Sequence, residues 1–156
     1  MRKNIIGERT REIVEGEWLN LERIARVEMT SEDPTHPVES ALQQDGGLGW
    51  RAGNPGKQFL RLLFDQPQRI QRLYLLIHEE ELPRTQEFVL RWSRDYGQSY
   101  LEIIRQQFNF SPPGTISERE EYNLDLQGVT GLELEIVPDI GGSSRARASV
   151  ARLRLA

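Results

Sequence analysis

The side chains best equipped to hold a ligand stand in short, turn-rich segments: His36 beside Asp33, then Arg51, Asn54 and Lys57, then His78, then Arg84. Imidazole, guanidinium, amide and ammonium groups are the hydrogen-bonding partners that hydroxyls and small anions use. Each of them also has a plainer explanation as a solvated loop side chain. The two histidines lie far apart and form neither an HxxH nor an HExxH pattern, so no metal site is expected. Glu79, Glu80 and Glu81 offer carboxylates, but neighbours on an extended segment point to opposite sides and do not flank one glycosidic bond. The run Gly46-Gly47-Leu48-Gly49 lacks the Lys and Ser or Thr of a phosphate-binding loop. With no nucleophile elbow or dinucleotide fingerprint either, the sequence predicts a protein that is not an enzyme and needs no cofactor.

The elements that must position these groups are short and extended. Arg26 and Glu28 alternate with Ala25, Val27 and Met29, which predicts a half-buried strand ended by Ser31-Glu32-Asp33-Pro34. Strands follow over 58–64 and 70–78, the second with Leu73, Leu75 and Ile77 on one face and Tyr74, Leu76 and His78 on the other. Phe88, Leu90 and Trp92 alternate with Val89 and Arg91, and Arg94-Asp95-Tyr96-Gly97 turns the chain into a partner strand over 99–105. Phe108, Phe110, Pro112, Pro113 and Gly114 read as an extended loop. Two more strands are centred on Leu124 and Leu134, and the chain closes through Ala148, Val150, Leu153 and Leu155. Before all of these, residues 1–23 read as a segment that packs on the main body through Trp18; Ile6, Ile13 and Val14 lie near a helical stripe that Gly7 and Gly16 interrupt. Residues 24–156 form the body, an all-β antiparallel sandwich of the jelly-roll kind with about eight strands.

Composition sets the outer limits. A chain of 156 residues suits one domain with its own core, and without cysteine nothing points to disulfides or thiolate chemistry. Twenty Lys and Arg against twenty-four Asp and Glu give a formal net charge of −4, which disfavours general affinity for nucleic acid. The one basic concentration is Arg145, Arg147, Arg152 and Arg154; cross-strand pairing with Glu133 and Glu135 is the expected use for it. No apolar run has the length of a membrane span or a secretory signal, so a cytoplasmic location is the expectation.

Taken in order, Ala41 to Trp50, the strand ending Leu62-Leu63-Phe64-Asp65, Ile70 and Leu73, the Ser93-to-Tyr100 hairpin and the closing Ala148-to-Leu153 resemble the discoidin or coagulation-factor type C domains of the galactose-binding-like superfamily. That resemblance implies an eight-stranded jelly roll whose loops at one end bind sugars, lipids or proteins. It also implies a calcium ion between the Asp-Gly loop and a Glu of the last strand. Here Asp45 remains, the loop to Trp50 is short and lacks the usual Thr, and Arg152 stands where the Glu is expected, so no metal is predicted; instead Asp45 and Arg152 are expected to pair and tie the loop to the last strand.

Sugar recognition in such domains uses an aromatic platform beside Arg, Asn or His. Trp50 matches a tryptophan that the family buries, Tyr96 and Tyr100 belong to the hairpin, and residues 139–147 contain no aromatic. Two functions remain open: a non-catalytic module binding carbohydrate through its loops, or a cytoplasmic adaptor binding a protein partner through the same scaffold. An edge strand can be covered by a partner or merely blunted, which leaves the oligomeric state open.

Overall fold

Alternation at a period of two governs most of the chain, and a computed structural model, which describes residues 18–43 and 47–156, shows eight strands with two single helical turns. Asn20 caps the first turn, α1 (Leu21–Ile24), by accepting from the Arg23 N–H at 3.3 Å. There follow β1 (Ala25–Met29), α2 (Glu39–Leu42), β2 (Trp50–Arg51), β3 (Gln58–His78), β4 (Arg84–Ser93), β5 (Leu101–Phe110), β6 (Ser117–Val137), β7 (Ser149–Val150) and β8 (Arg152–Leu155). All strand pairs are antiparallel. Among the described residues no helix is long and apolar enough to cross a membrane.

The two strands expected over 58–64 and 70–78 are one continuous element, and so are those centred on Leu124 and Leu134. β3 and β6 pair along their lengths, with register shifts between Leu63 and Arg72 where both bend. Such irregularities turn a strand without ending it, so the polar stretch Asp65-Gln66-Pro67 reads as a loop in sequence and lies without register partners inside a strand that continues through it. The first half of β3 pairs with β1 and with the last part of β6, which β4 and β5 extend; the second half pairs with the first part of β6 and with β8. Leu60, Leu62 and Phe64 from one half and Leu73, Leu75 and Ile77 from the other share a single apolar core with Phe88, Leu90, Leu132 and Leu134. Trp50 joins them at 1% exposure, its indole N–H donating to the Ser31 carbonyl at 3.2 Å.

Phe108 and Phe110, expected in a loop, instead complete β5. Their rings meet edge to face at 4.9 Å, and burial of Phe110 holds the strand in its alternating pattern to the end. On the amino-terminal side the Leu19 N–H donates to the Leu155 carbonyl at 2.8 Å, and the Trp18 and Tyr74 rings lie 6.4 Å apart. Ile6, Ile13 and Val14 lie outside the described residues.

The expected partners of Glu133 and Glu135 are not the ones they have. β8 pairs with the second half of β3, placing Arg152 opposite Leu76 and Arg154 opposite Tyr74. Glu133 lies between β3 and β4 in the other layer, where it receives Arg61 at 2.6 Å and Arg91 at 2.8 Å; Arg91 also reaches Glu135 at 3.0 Å. Both arginine partners are partly solvated, which limits the value of the network. Glu133→Gln is expected to lower stability by about 1 kcal/mol, read from a urea unfolding curve.

Candidate functional site

At the pole where β3 ends and β4 begins, four segments enclose a cavity of about 420 Å³. β2 and β7 form its floor. Trp50 and Val150 face one another in the ladder and point into the core, so the alternation turns Arg51 and Ser149 the other way, into the cavity lining. Residues 33–36 are stitched along the far side of β2: Asp33 N–H donates to the Arg51 carbonyl at 2.9 Å, and Arg51 N–H to the His36 carbonyl at 3.2 Å. His36 lines the cavity with its Nδ1 within 2.9 Å of the Thr35 hydroxyl. Backbone and hydroxyl donation from Thr35 holds the Asp33 carboxyl below its usual range.

Gly49 lets the glycine loop close down on β7 and β8. Its φ of 83° and the 2.6 Å distances from a would-be Cβ to Ala151 Cα and the Val150 carbonyl oxygen leave no room for a side chain. Leu48, 75% exposed, projects at the rim.

The opposite wall is built by residues 78–82. His78 ends β3 with Nδ1 2.8 Å from the Ser117 hydroxyl, and Ser149 donates to its carbonyl at 3.4 Å. Glu79 turns back to accept from the N–H groups of Glu81 and Leu82 at 3.1 and 3.2 Å and from Arg84 Nε at 2.7 Å. Burial alone would raise its pKa, but Arg84 and the two backbone donors outweigh it and hold the carboxyl low. Arg84, with its side chain fully buried, lies over the Phe110 ring and donates to Gln86 at 2.9 Å and to the Pro138 carbonyl at 2.8 Å. Glu80 and Glu81 also line the cavity and are exposed.

The last wall is the segment before β7, which contributes Arg145 and Arg147. Asp139 anchors it by accepting from the N–H groups of Gly141, Ser143 and Thr85. Burial pulls its pKa upward, and those three donors bring it below the usual carboxylate range.

Of the sequence candidates, the structure brings His36, Arg51 and His78 together around one cavity. Arg84 lies beneath it, holding the Glu79 loop. Asn54 is exposed beyond the lining, its N–H on the Ser31 hydroxyl at 3.2 Å, and the Lys57 ammonium lies 5.9 Å from the Phe59 ring centre. Arg145 and Arg147 were legible as a basic cluster, yet their expected pairing with glutamates on a neighbouring strand hid their place here. Glu80 and Glu81, expected as a solvated acidic loop, are exposed and also form a wall. Tyr96 and Tyr100 belong to the hairpin at the other end of β4, so the buried Trp50 is the only aromatic residue lining the cavity among the described residues.

No protein-family model and no curated protein matches the chain. Solved structures do. A family 32 carbohydrate-binding module of Clostridium perfringens NanJ, in complex with galactose, aligns over 88% of this chain and 96% of its own at a TM-score of 0.63 and 12% identity. A second such module from Clostridium perfringens, in complex with GalNAc-β-1,3-galactose, aligns over 88% and 98% at 0.61 and 18%. The corresponding module of AlyQ, in complex with 4,5-unsaturated mannuronic acid, aligns over 85% and 95% at 0.58 and 17%. The chain shares the jelly-roll fold of these modules. The resemblance drawn from the sequence segments is therefore correct at the level of architecture.

The resemblance also implied a calcium site beside the last strand of this jelly roll, and the described residues beside that strand do not fit one. Asp45, half of the expected Asp45–Arg152 pair, lies outside the described residues, and Arg152 is half-buried on β8. The arginine two positions on holds the end of α2. Arg154, 4% exposed, donates to the Ala41 carbonyl at 3.1 Å, to the Leu153 carbonyl at 3.1 Å and, from its other terminal nitrogen, to the Gln43 carbonyl. Those carbonyls are oxygens of the kind a hard cation needs, and a positive guanidinium already occupies them. Among the described residues no three His, Asp or Glu side chains converge as metal ligands.

Proposed function

We propose that this chain is a non-catalytic carbohydrate-binding module and that the cavity between residues 36, 51, 78–82 and 145–149 is its site. The observation that carries the reading is the cavity itself: about 420 Å³ at the loop pole, within the roughly 300–1,000 Å³ of small-ligand clefts, on a fold whose solved examples include modules with sugars bound. Arg51 and the two histidines supply donors and acceptors for ring hydroxyls, and the Glu80 and Glu81 carboxylates accept from hydroxyls. Leu48 offers an apolar edge to a pyranose face. Glu79 is committed to Arg84 and to two backbone donors, and Glu80 and Glu81 share its segment; this arrangement suits holding a sugar more than cleaving one.

A glycan array with free-sugar competition tests the reading. Competable signals are expected, and Arg51→Ala should weaken them at least about tenfold without changing the melting temperature. Asn54→Ala should leave them unaltered. A protein that gives no competable signal on the array but captures a stoichiometric protein from native extract would replace this reading with that of an adaptor.

A further inference from the structure

The cavity's two walls carry opposite charge, and of the glutamates and arginines that line them only Glu79 meets an opposite charge within ion-pair distance among the described residues. Glu79 has Arg84 beneath it. Across from it, Arg51, Arg145 and Arg147 have no carboxylate within ion-pair distance among the described residues. The pattern is unlike that of the sheet face, where Arg61, Arg91 and Arg105 all meet glutamates at 2.6 to 3.0 Å. In a chain with an acidic excess, three guanidinium groups left open around one recess are poised for an anion from outside.

Resting on the carbohydrate reading above, we propose that the site selects an anionic saccharide, one whose carboxylate or sulfate meets Arg51, Arg145 and Arg147 while its neutral hydroxyls donate to Glu80 and Glu81. A planar guanidinium matches a carboxylate or sulfate with two parallel hydrogen bonds, roughly twice as strong as those between neutral groups. The facing glutamates exclude a polyanion of uniform charge density, such as a nucleic acid backbone, because its next charges would fall against them. A sugar acid satisfies both walls, since its charge is confined to one substituent and the rest of the ring bears hydroxyls. The want of an exposed aromatic platform points the same way: with little ring stacking available, the charged contact must supply the affinity that stacking gives elsewhere.

The test is calorimetric titration of the whole chain with three probes: methyl galacturonoside, which carries a single carboxylate, its methyl ester with the charge capped and the ring unchanged, and a singly sulfated methyl galactoside. The galacturonoside, the sulfated sugar or both should bind at least about tenfold more tightly than the ester, with affinity falling as salt rises. The two charged probes distinguish the sources of the anion. Arg145→Gln and Arg147→Gln should each cost about fivefold or more for the charged probe and leave melting unchanged, whereas Arg69→Gln, paired with Asp125 away from the cavity, should have no effect. Equal affinity for acid and ester, or binding indifferent to Arg145 and Arg147, overturns the inference while sugar binding stands. Failure of all three probes on a protein that gives competable signals with neutral glycans on the array also overturns it; failure on both fronts removes the carbohydrate reading as well.

Discussion

Arg154→Met is expected to cost about 2 kcal/mol. The methionine fills much of the volume but donates nothing, leaving the carbonyls of Ala41 and Gln43 without the donor that now reaches both. The buried Ala41 carbonyl left unsatisfied costs about 1–3 kcal/mol, whereas the Gln43 carbonyl, on an exposed residue, turns to water, and the apolar gain from the thioether offsets part of the loss. Arg154→Lys should recover less than half of the loss, because one ammonium on a flexible stem cannot span two carbonyls with a fixed fork. Urea unfolding measures both. Since α2 leads into the glycine loop that borders the cavity, the variants should also bind ligand more weakly than their residual folded fraction explains. If chelation with EDTA lowers the melting temperature of the native protein while Arg154→Met leaves it in place, the role assigned to the guanidinium is wrong.

Glu118→Gln is expected to stabilise the protein in mildly alkaline solution. Glu118 is 1% exposed on β6 and accepts from Gln86 Nε2 at 2.8 Å. Burial, and next the sharing of a proton with the neighbouring Glu120, push its pKa up to about 8. The folded protein therefore keeps a proton that the unfolded chain releases near pH 4.5. The favourable contribution of the protonated form is complete below that pH and is lost progressively as pH rises to about 8, so stability falls across this window. Glutamine mimics the protonated acid at every pH and removes the slope. The difference between variant and native protein should be near zero around pH 4 and grow to on the order of 3 kcal/mol by pH 8 to 9. Parallel melting curves for the two proteins across that range would refute the assignment.

Much of the architecture was legible because burial enforces alternation. Leu73, Leu75 and Ile77 declare their strand face, and Ser93 to Tyr100 declare a hairpin through Asp95-Tyr96-Gly97. Sequence could not show that β3 and β6 continue through their bends, since a strand deformed at polar residues looks like two strands and a loop. Phe108 and Phe110 were obscured by the prolines that follow them. Within the site, His36, Arg51 and His78 were visible as polar residues beside turns. Arg145 and Arg147 were visible only as charge; their place at the cavity follows from β7 pairing with β2 and from the Gly56–Arg147 bridge, and pairing between distant segments leaves no local mark. Arg154 and Arg152 differ by two, the period of a strand, so the pattern alone could not single out Arg154 as the residue that holds the end of α2.

The short β2–β7 ladder described above sets how a ligand is met. Because Arg51 and Ser149 are locked into register by Trp50 and Val150 in the core, and His78 by the end of β3, the recess is assembled before anything enters it. An incoming molecule surrenders its own freedom but demands little ordering from the host, so even a small number of charged contacts converts efficiently into residence on the surface.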